Sequence, residues 1–265
     1  VIVDVCSTAL RRAGLPEGAL GLVPGGGHEA TAALARQDRY LDLMIPRGGE
    51  GLKRALKSVA TVPLLFAASG NCHVYIDAEA DLNMAEAVTV NAKTQRPAVC
   101  NAAETLLVHK DVAGRALPRI LRALLDRNVE LRVDARTRAL AGADVAPRLK
   151  DATEEDWDTE YHALILSVAV VDSLEDAVAH INRHGSGHSE TIVTNEEQVA
   201  RRFQAGVDAA AVYWNASTRF TDGNRFGMGA EMGISTQKLH ARGPIGLREL
   251  CSYKFVVDGT GHIVT

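Results

Sequence analysis

The sequence predicts an α/β protein organised around a parallel sheet, and three observations carry that expectation. Short apolar runs alternate with longer stretches whose apolar residues recur at helical spacing, the pattern of successive βαβ units. Turn chemistry falls between them, as at Pro24 with Gly25–Gly27, Pro46 with Gly48 and Gly49, and Pro97. Hydrophobic residues make up 46% of the 265 and charged residues 23%, enough apolar material for a sizeable core and too much for a disordered chain.

Taken in order, Ile2 to Arg12 reads as a helix, with Val5, Ala9 and Leu10 on one face and Gly14 and Pro16 beyond its end. Leu20 to Val23 reads as a short strand, His28 to Gln37 as an Ala-rich helix, and Leu41 to Ile45 as a second strand. Gly51 to Ser58 is helical and Val62 to Ala67 a third strand. Next come a strand at Val74–Ile76, a helix capped by Asp81 and running to about Lys93, and a strand from Glu104 to His109. Leu117 to Asn128 is an amphipathic helix and Val129 to Val133 a strand, followed by a polar, irregular stretch from 134 to 156. Leu164 to Val171 is a strongly apolar strand, and Ser173 starts a helix that reaches His184. Strands at Thr191–Val193 and Ala210–Trp214 lead into a glycine-rich region, Asn215 to Gly246, of the loop-dominated kind that usually carries function.

Charge and cysteine usage narrow the function classes. Lys and Arg number 29 against 33 Asp and Glu, a net charge of −4, which argues against a nucleic-acid binder. No apolar run is long enough to span a bilayer. The chain opens Val1-Ile2-Val3-Asp4, without Met or a signal peptide, as if cut within a longer sequence. Its 4 cysteines (Cys6, Cys72, Cys100 and Cys251) show no zinc or redox spacing, and the expected compartment is a reducing cytoplasm.

Cys100 has the surroundings of a nucleophile. It follows a helix stopped by Pro97, with Lys93 and Arg96 near enough in sequence to favour a thiolate and Asn91, Gln95 and Asn101 as amide donors for an oxyanion. The alternative is a cysteine in an ordinary loop. Cys72 adjoins His73, but neighbours in an extended segment face opposite ways, so a thiolate–imidazolium pair is not expected. His180, His184 and His188 recur every four residues, yet Gly185 and Gly187 end the helix first, and no metal site is expected. Gly25-Gly26-Gly27-His28-Glu29-Ala30 is a weak dinucleotide fingerprint. Arg47-Gly48-Gly49 leads into a helix N-terminus able to hold a pyrophosphate, and a plain turn is the equal alternative. The loop Asn215 to Gly223 combines amides, hydroxyls, Arg219 and Asp222, which suit a substrate with both amino and carboxylate groups; a self-satisfied polar loop is the alternative.

Four segments resemble one family. Asn-Ala-Lys-Thr-Gln-Arg-Pro-x-Val-Cys-Asn-Ala at 91–102, Gly-Asn-Cys-His-Val-Tyr at 70–75, Asn-Ala-Ser-Thr-Arg-Phe-Thr-Asp-Gly at 215–223 and the run 229–244 are similar to gamma-glutamyl phosphate reductases. These are also called glutamate-5-semialdehyde dehydrogenases, within the aldehyde dehydrogenase superfamily. The resemblance implies an aldehyde-dehydrogenase-like α/β fold and NADPH-dependent reduction of L-glutamate 5-phosphate to the 5-semialdehyde, with phosphate released, in proline biosynthesis. It puts the catalytic cysteine at Cys100, cofactor contacts at Arg47, Gly48, Gly49 and Glu160, and substrate contacts at Asn101, Asn215, Ser217, Arg219 and Asp222. The segment Phe66 to Gly70 stands where hydrolytic members carry a glutamate and has no carboxylate, as suits an enzyme that must keep water from a thioester. Ala67 stands where the family pattern often has His.

The resemblance further implies that family members have a long segment before the equivalent of Val1, supplying the first strands of a Rossmann-like domain. The expected organisation is therefore the later part of that cofactor domain (1–67), a catalytic α/β domain (68–240) and a C-terminal segment (241–265) that joins the sheet of a second copy in a homo-oligomer. The half sheet left in residues 1–67 would expose an apolar edge. Two other expectations remain open: a non-catalytic piece that needs its N-terminal half, or the reductase half of a bifunctional pyrroline-5-carboxylate synthase.

Overall fold

The computed structural model describes residues 1–67, 69–239 and 241–265, and of Glu50 the backbone only. Ala68, in the Phe66–Gly70 segment, and His240, in the 229–244 motif, lie outside the described residues. The chain divides into two compact units, Val1–Leu64 and Leu65–Thr265.

The first unit holds three helices: α1 (Ile2–Arg12), α2 (His28–Leu34) and α3 (Glu50–Val59). The three short strands expected there do not form. Leu20, Leu22 and Val23 are exposed, and the other two runs meet only at a parallel bridge between Met44 and Leu64, where the Met44 amide donates to the Pro63 carbonyl at 2.9 Å. A strand is stabilised by the ladder beside it, and one bridge is no ladder. There is accordingly no half sheet in this unit to present an edge. Its buried apolar residues include Ala35, Leu56 and Val62, with the Ala35 carbonyl accepting from the amides of both Thr61 and Val62.

The second unit is a doubly wound α/β layer structure. In chain order it comprises β1 (Cys72–Ile76), α4 (Leu82–Thr94), β2 (Ala103–His109), α5 (Lys110–Leu125), β3 (Glu130–Val133), α6 (Ala135–Leu140), β4 (Lys150–Asp151), β5 (Ile165–Val171), α7 (Leu174–His184), β6 (Ser189–Val193), α8 (Glu197–Gly206) and β7 (Ala211–Trp214). All seven strands pair in parallel, in the order β4-β3-β5-β2-β1-β6-β7. A small antiparallel ribbon, β8 (Ile234–Ser235) with β9 (Gly243–Pro244), follows.

Side-chain alternation builds two cores from one sheet. Val74, Ile76, Leu106 and Val108 face α4 and α5, packing with Ala85, Leu117 and Leu121. Tyr75 and Leu107 point the other way, against Ala177 and Ile181 of α7 and Ala200 and Phe203 of α8. A parallel sheet covered on both faces needs such continuous apolar strands, which is why they were legible.

Several boundaries follow from caps. The Asp81 carboxylate accepts from the Met84 amide at 2.8 Å, and the Ser173 hydroxyl accepts from the Asp176 amide at 3.1 Å, each starting a helix where the sequence predicted one. Helix α5 begins at Lys110 rather than Leu117, because His109 caps it and Val112, Ala113 and Ala116 bury its first turns despite Gly114. The polar stretch after β3 contains α6, capped by Asp134, and the short edge strand β4 rather than continuous irregular chain. Helix α8, for which the charged run Glu196 to Gln204 gave no expectation, buries just Ala200 and Phe203.

Candidate active site

Cys100 lies in the loop that joins α4 to β2, at the amino ends of the central strands. The backbone of Gly70, just before β1, presses against it: a Cβ at Gly70 would lie 1.5 Å from the Cys100 carbonyl oxygen, so only glycine fits. The Cys72 thiol donates to the same carbonyl at 3.2 Å. On the other side the loop after β7 doubles back to the amino ends. The Asn101 amide donates to the Thr221 carbonyl at 2.8 Å, and the Thr218 hydroxyl donates to the Asn101 carbonyl at 2.7 Å. Thr221 is held in turn by the hydroxyls of Ser189, 2.5 Å away, and Tyr213, 2.6 Å away.

The electrostatics differ from the sequence expectation. Burial pushes the Cys100 thiol up to about 11, the carboxylates of Glu160 and Glu231 push the same way, and Arg219 opposes them. Lys93, expected beside the thiolate, is instead fully buried and paired with Glu104 at 2.5 Å. Arg96 is exposed. The reason is helical phase: Lys93 falls on the face of α4 that packs on the sheet, where a charge needs a buried counter-charge. Burial also raises the Cys72 thiol well above its usual range, which leaves it a packing group.

Glu160 sits in the segment before β5. One carboxylate oxygen accepts from the Gly70 amide at 2.8 Å, and the other lies 3.4 Å from His162 Nε2. It therefore stands beside the cysteine loop, through the same glycine that touches Cys100.

The predicted substrate residues separate into two groups. Arg219 and Asp222 line a cleft of about 410 Å³ with Asn91, Gln95, Phe220, Asn224 and Arg225. Gln95 accepts from Arg219 Nε at 2.8 Å and fixes the guanidinium. Asn215 is engaged elsewhere: it adopts a left-handed φ of 56°, accepts from the Thr194 amide at 3.0 Å and donates to the Thr194 carbonyl at 3.0 Å. Ser217 accepts from the Arg219 amide at 3.3 Å, so it shapes the turn that presents the arginine. Arg225, Asn224 and Glu231 were not among the predicted residues. Asn224 and Arg225 follow the 215–223 motif, and Glu231 lies within the 229–244 run, so position near those motifs was the available signal.

Arg47, Gly48 and Gly49 belong to the first unit. Gly49 is the N-cap of α3, with open space around its Cα, and Arg47 is exposed beside it. His73, His180, His184 and His188 lie in the second unit. His73 pairs with Glu190 at 3.0 Å in full burial, His180 packs edge-on to His73 and tilted on His184, and His188 is buried beside Ser189. Among the described residues no group of three His, Cys, Asp or Glu is placed to hold a metal ion, and no helix is long and apolar enough to cross a membrane.

The second unit combines a doubly wound sheet with a half-buried loop cysteine and a carboxylate beside that loop, and comparison with known proteins gives the family. The chain belongs to the aldehyde dehydrogenase family, whose model matches residues 1–146 and 141–256. Within that family it is similar to the gamma-glutamyl phosphate reductase of Moorella thermoacetica, 56% identical over 262 residues that cover 99% of this chain and 62% of that protein. The gamma-glutamyl phosphate reductase of Syntrophomonas wolfei is 52% identical over 263 residues, with the same coverage of 99% and 62%. The crystal structure of gamma-glutamyl phosphate reductase from Thermotoga maritima superposes with a TM-score of 0.92 at 47% identity, covering 100% of this chain and 63% of that one. The chain thus spans about 62% of the length of the curated relatives it matches.

Proposed function

We propose that this chain carries the thiol chemistry of a gamma-glutamyl phosphate reductase, an NADP-dependent oxidoreductase that converts L-glutamate 5-phosphate to L-glutamate 5-semialdehyde and phosphate in proline biosynthesis. The observation that carries it is the loop cysteine Cys100, packed against Gly70 and flanked by Asn101, with Arg219, which lines a cleft and is fixed by Gln95, near enough to act on its thiol. In this reading Arg219 pairs with the substrate carboxylate and Asp222 with its amino group. Cys100 gives its proton to solvent, the small thiolate fraction so formed attacks the acyl phosphate carbon, phosphate departs with the bonding electrons, and a thioester remains on the sulfur. Thioesters accept hydride readily, so sulfur suits the step better than oxygen.

The residues present fit a nicotinamide dinucleotide. Each taken within its own unit, the open N-terminus of α3 at Gly49, with Arg47 beside it, suits a pyrophosphate, and Glu160 of the second unit offers a carboxylate of the kind that holds a ribose hydroxyl. When bound, NADPH supplies the hydride that brings the thioester to the aldehyde level. Collapse of the resulting hemithioacetal on Cys100 frees the aldehyde and restores the thiol. Residues 1–67 then act as the later part of the cofactor domain and 68–240 as the catalytic domain. The segment 241–265 pairs with a second copy, as the exposure of Tyr253, Phe255, Val256 and Val257 supports. The compartment is the cytoplasm, consistent with four free cysteines.

The test is phosphate-dependent reduction of NADP by the semialdehyde, comparing the unsubstituted protein with Cys100→Ala. Loss of turnover in the variant is expected; equal rates would overturn the reading. The span of 62% of the relatives favours a second reading, in which this chain is a piece that binds NADPH only together with the remainder. Titration of the chain with NADPH, alone and with that remainder added, separates the two.

A further inference from the structure

Two charged side chains beneath the Cys100 loop have no part in the mechanism above. Lys93, in the last turn of α4, and Glu104, at the start of β2, are 0% and 1% exposed and lie 2.5 Å apart. Taking both charges out of water costs several kcal/mol per ion before their attraction offsets it, and well-packed apolar residues often serve stability as well. The fold goes further to keep the pair. Cys72 pairs with Ala103 and His73 with Thr105, so the register between β1 and β2 slips at Glu104 and leaves it opposite no residue. A bulge of this kind re-aims a side chain, and such bulges cluster beside active sites. The Tyr161 backbone amide faces Glu104 closely enough to favour its charged form, and the Lys93 ammonium lies 6.0 Å from the Tyr161 ring. Tyr161 follows Glu160, whose carboxylate accepts from Gly70, and Gly70 touches Cys100. A continuous chain of contacts therefore joins the pair to the thiol.

We propose that Lys93 and Glu104 are positioning residues for this site: Glu104 seats the Lys93 ammonium under the 160–161 segment, where it balances the Glu160 carboxylate that stands beside Cys100. The inference rests on Cys100 being the reactive thiol. The groups that face Lys93 are Glu104 on β2, Cys72 on β1, and Glu160 with Tyr161 before β5. Those acting on Cys100 are Glu160, Glu231 and Arg219, with Cys72 bonded to its carbonyl. Glu104 Oε1 makes no hydrogen bond among the described residues, as Glu190 Oε1 also does not, and Glu104 is pushed up to about 7 chiefly by burial, with Lys93 opposing the rise.

Charge balance and simple packing give different outcomes in one experiment. The pH profile of Cys100 alkylation by iodoacetamide, read peptide by peptide on the 265-residue chain, is compared for Glu104→Gln, Lys93→Met and the double variant. Glu104→Gln leaves the ammonium opposed by Glu160 alone, so alkylation at pH 8 becomes about tenfold faster, one pH unit in the profile. Lys93→Met is no faster than the unsubstituted chain, because one of the two remaining carboxylates takes up a proton. The double variant, which breaks no ion pair one-sidedly and stays foldable if Lys93→Met does not, leaves Glu160 without its counter-charge and is alkylated more slowly than the unsubstituted chain; an unchanged double variant overturns the proposal. Faster alkylation in all three means that the loop has loosened around the thiol and overturns the proposal, as does an unchanged profile in Glu104→Gln. Absence of Cys100 modification in every protein, the unsubstituted one included, overturns the nucleophile reading and this proposal with it.

Discussion

Replacing Gly70 by alanine puts a methyl group where the Cys100 carbonyl already is. The added Cβ would lie 1.5 Å from that oxygen, 2.3 Å from the carbonyl carbon and 2.6 Å from the Cys100 Cα. Real Cβ contacts essentially never fall below 3.0 Å, so the two backbones must separate by at least about 1.5 Å, and the obstacle is main chain on both sides rather than a flexible side-chain tip. The amide of the same glycine is the donor that holds Glu160, so a shift moves the thiol and the carboxylate apart together. Misplacement of reacting groups by about 1 Å costs roughly a hundredfold in rate, and Gly70→Ala should lose at least that in turnover of the semialdehyde. Overpacking of this kind costs about 1–3 kcal/mol, so the midpoint of thermal unfolding should fall by only a few degrees. The pair of measurements is diagnostic: turnover against a Cys100→Ala baseline, and a melting curve on the same preparation. A Gly70→Ala protein that keeps its turnover within a few-fold refutes the close-approach argument, and one that fails to fold refutes the claim that the strain is local.

Other perturbations follow from the site and its supports. Arg219→Lys breaks the fixed guanidinium held by Gln95, and should raise KM for the semialdehyde about tenfold or more with little change in kcat, measured by steady-state kinetics. Asn215→Ala keeps a β-carbon in the left-handed region but removes both side-chain bonds to Thr194 that offset its strain; a stability loss of about 1–2 kcal/mol in urea unfolding is expected, with Asn215→Gly losing less. His188 is fully buried, and burial alone lowers it to about 4, so the fold holds it neutral. Its contribution is complete above the unfolded value of 6.5 and is lost as pH falls through about 4, at up to about 1.4 kcal/mol per pH unit. His188→Gln should therefore flatten the fall in stability between pH 6.5 and 4, followed by urea melts at stepped pH.

What the sequence revealed and what it hid divide along physical range. The caps Asp81 and Ser173, the apolar strands and the stop at Pro97 are local signals, and the structure agrees with them because a cap bonds only a few residues away. Strand formation in the first unit depends on a partner strand, and alternation of apolar residues says nothing about whether one is supplied. Helix α5 began early because burial of Val112 and Ala116 outweighed the propensity penalty of Gly114, a tertiary effect. Within the candidate site the residue types were legible and their directions were not. Lys93 read as a neighbour of the thiol seven residues away, yet helix phase turned it to Glu104. Asn101 read as an oxyanion donor, yet its amide nitrogen meets a carbonyl 120 residues further on. Contacts between distant segments fix which way a polar side chain turns, and no single window contains them.

Cys100 lies at the amino ends of the strands, so the candidate site sits mainly on one rim of the sheet. In most open α/β sheets the carboxyl ends hold the ligand. Here those ends open into the turns at Asp77–Asp81, Asp172–Ser173 and Thr194–Glu196, roughly 16 Å along a five-residue strand from the thiol. Among the described residues, Asp172 is exposed and its carboxylate meets the surface side chains of Lys110 and Arg136. That rim is a tolerant place to splice foreign sequence, because an insert at Asp172 lengthens a connection without disturbing the loops around Cys100. The same molecule thus has a conservative face that must keep its spacing to fractions of an ångström and a permissive one where reporters, tethers or whole modules could be grafted.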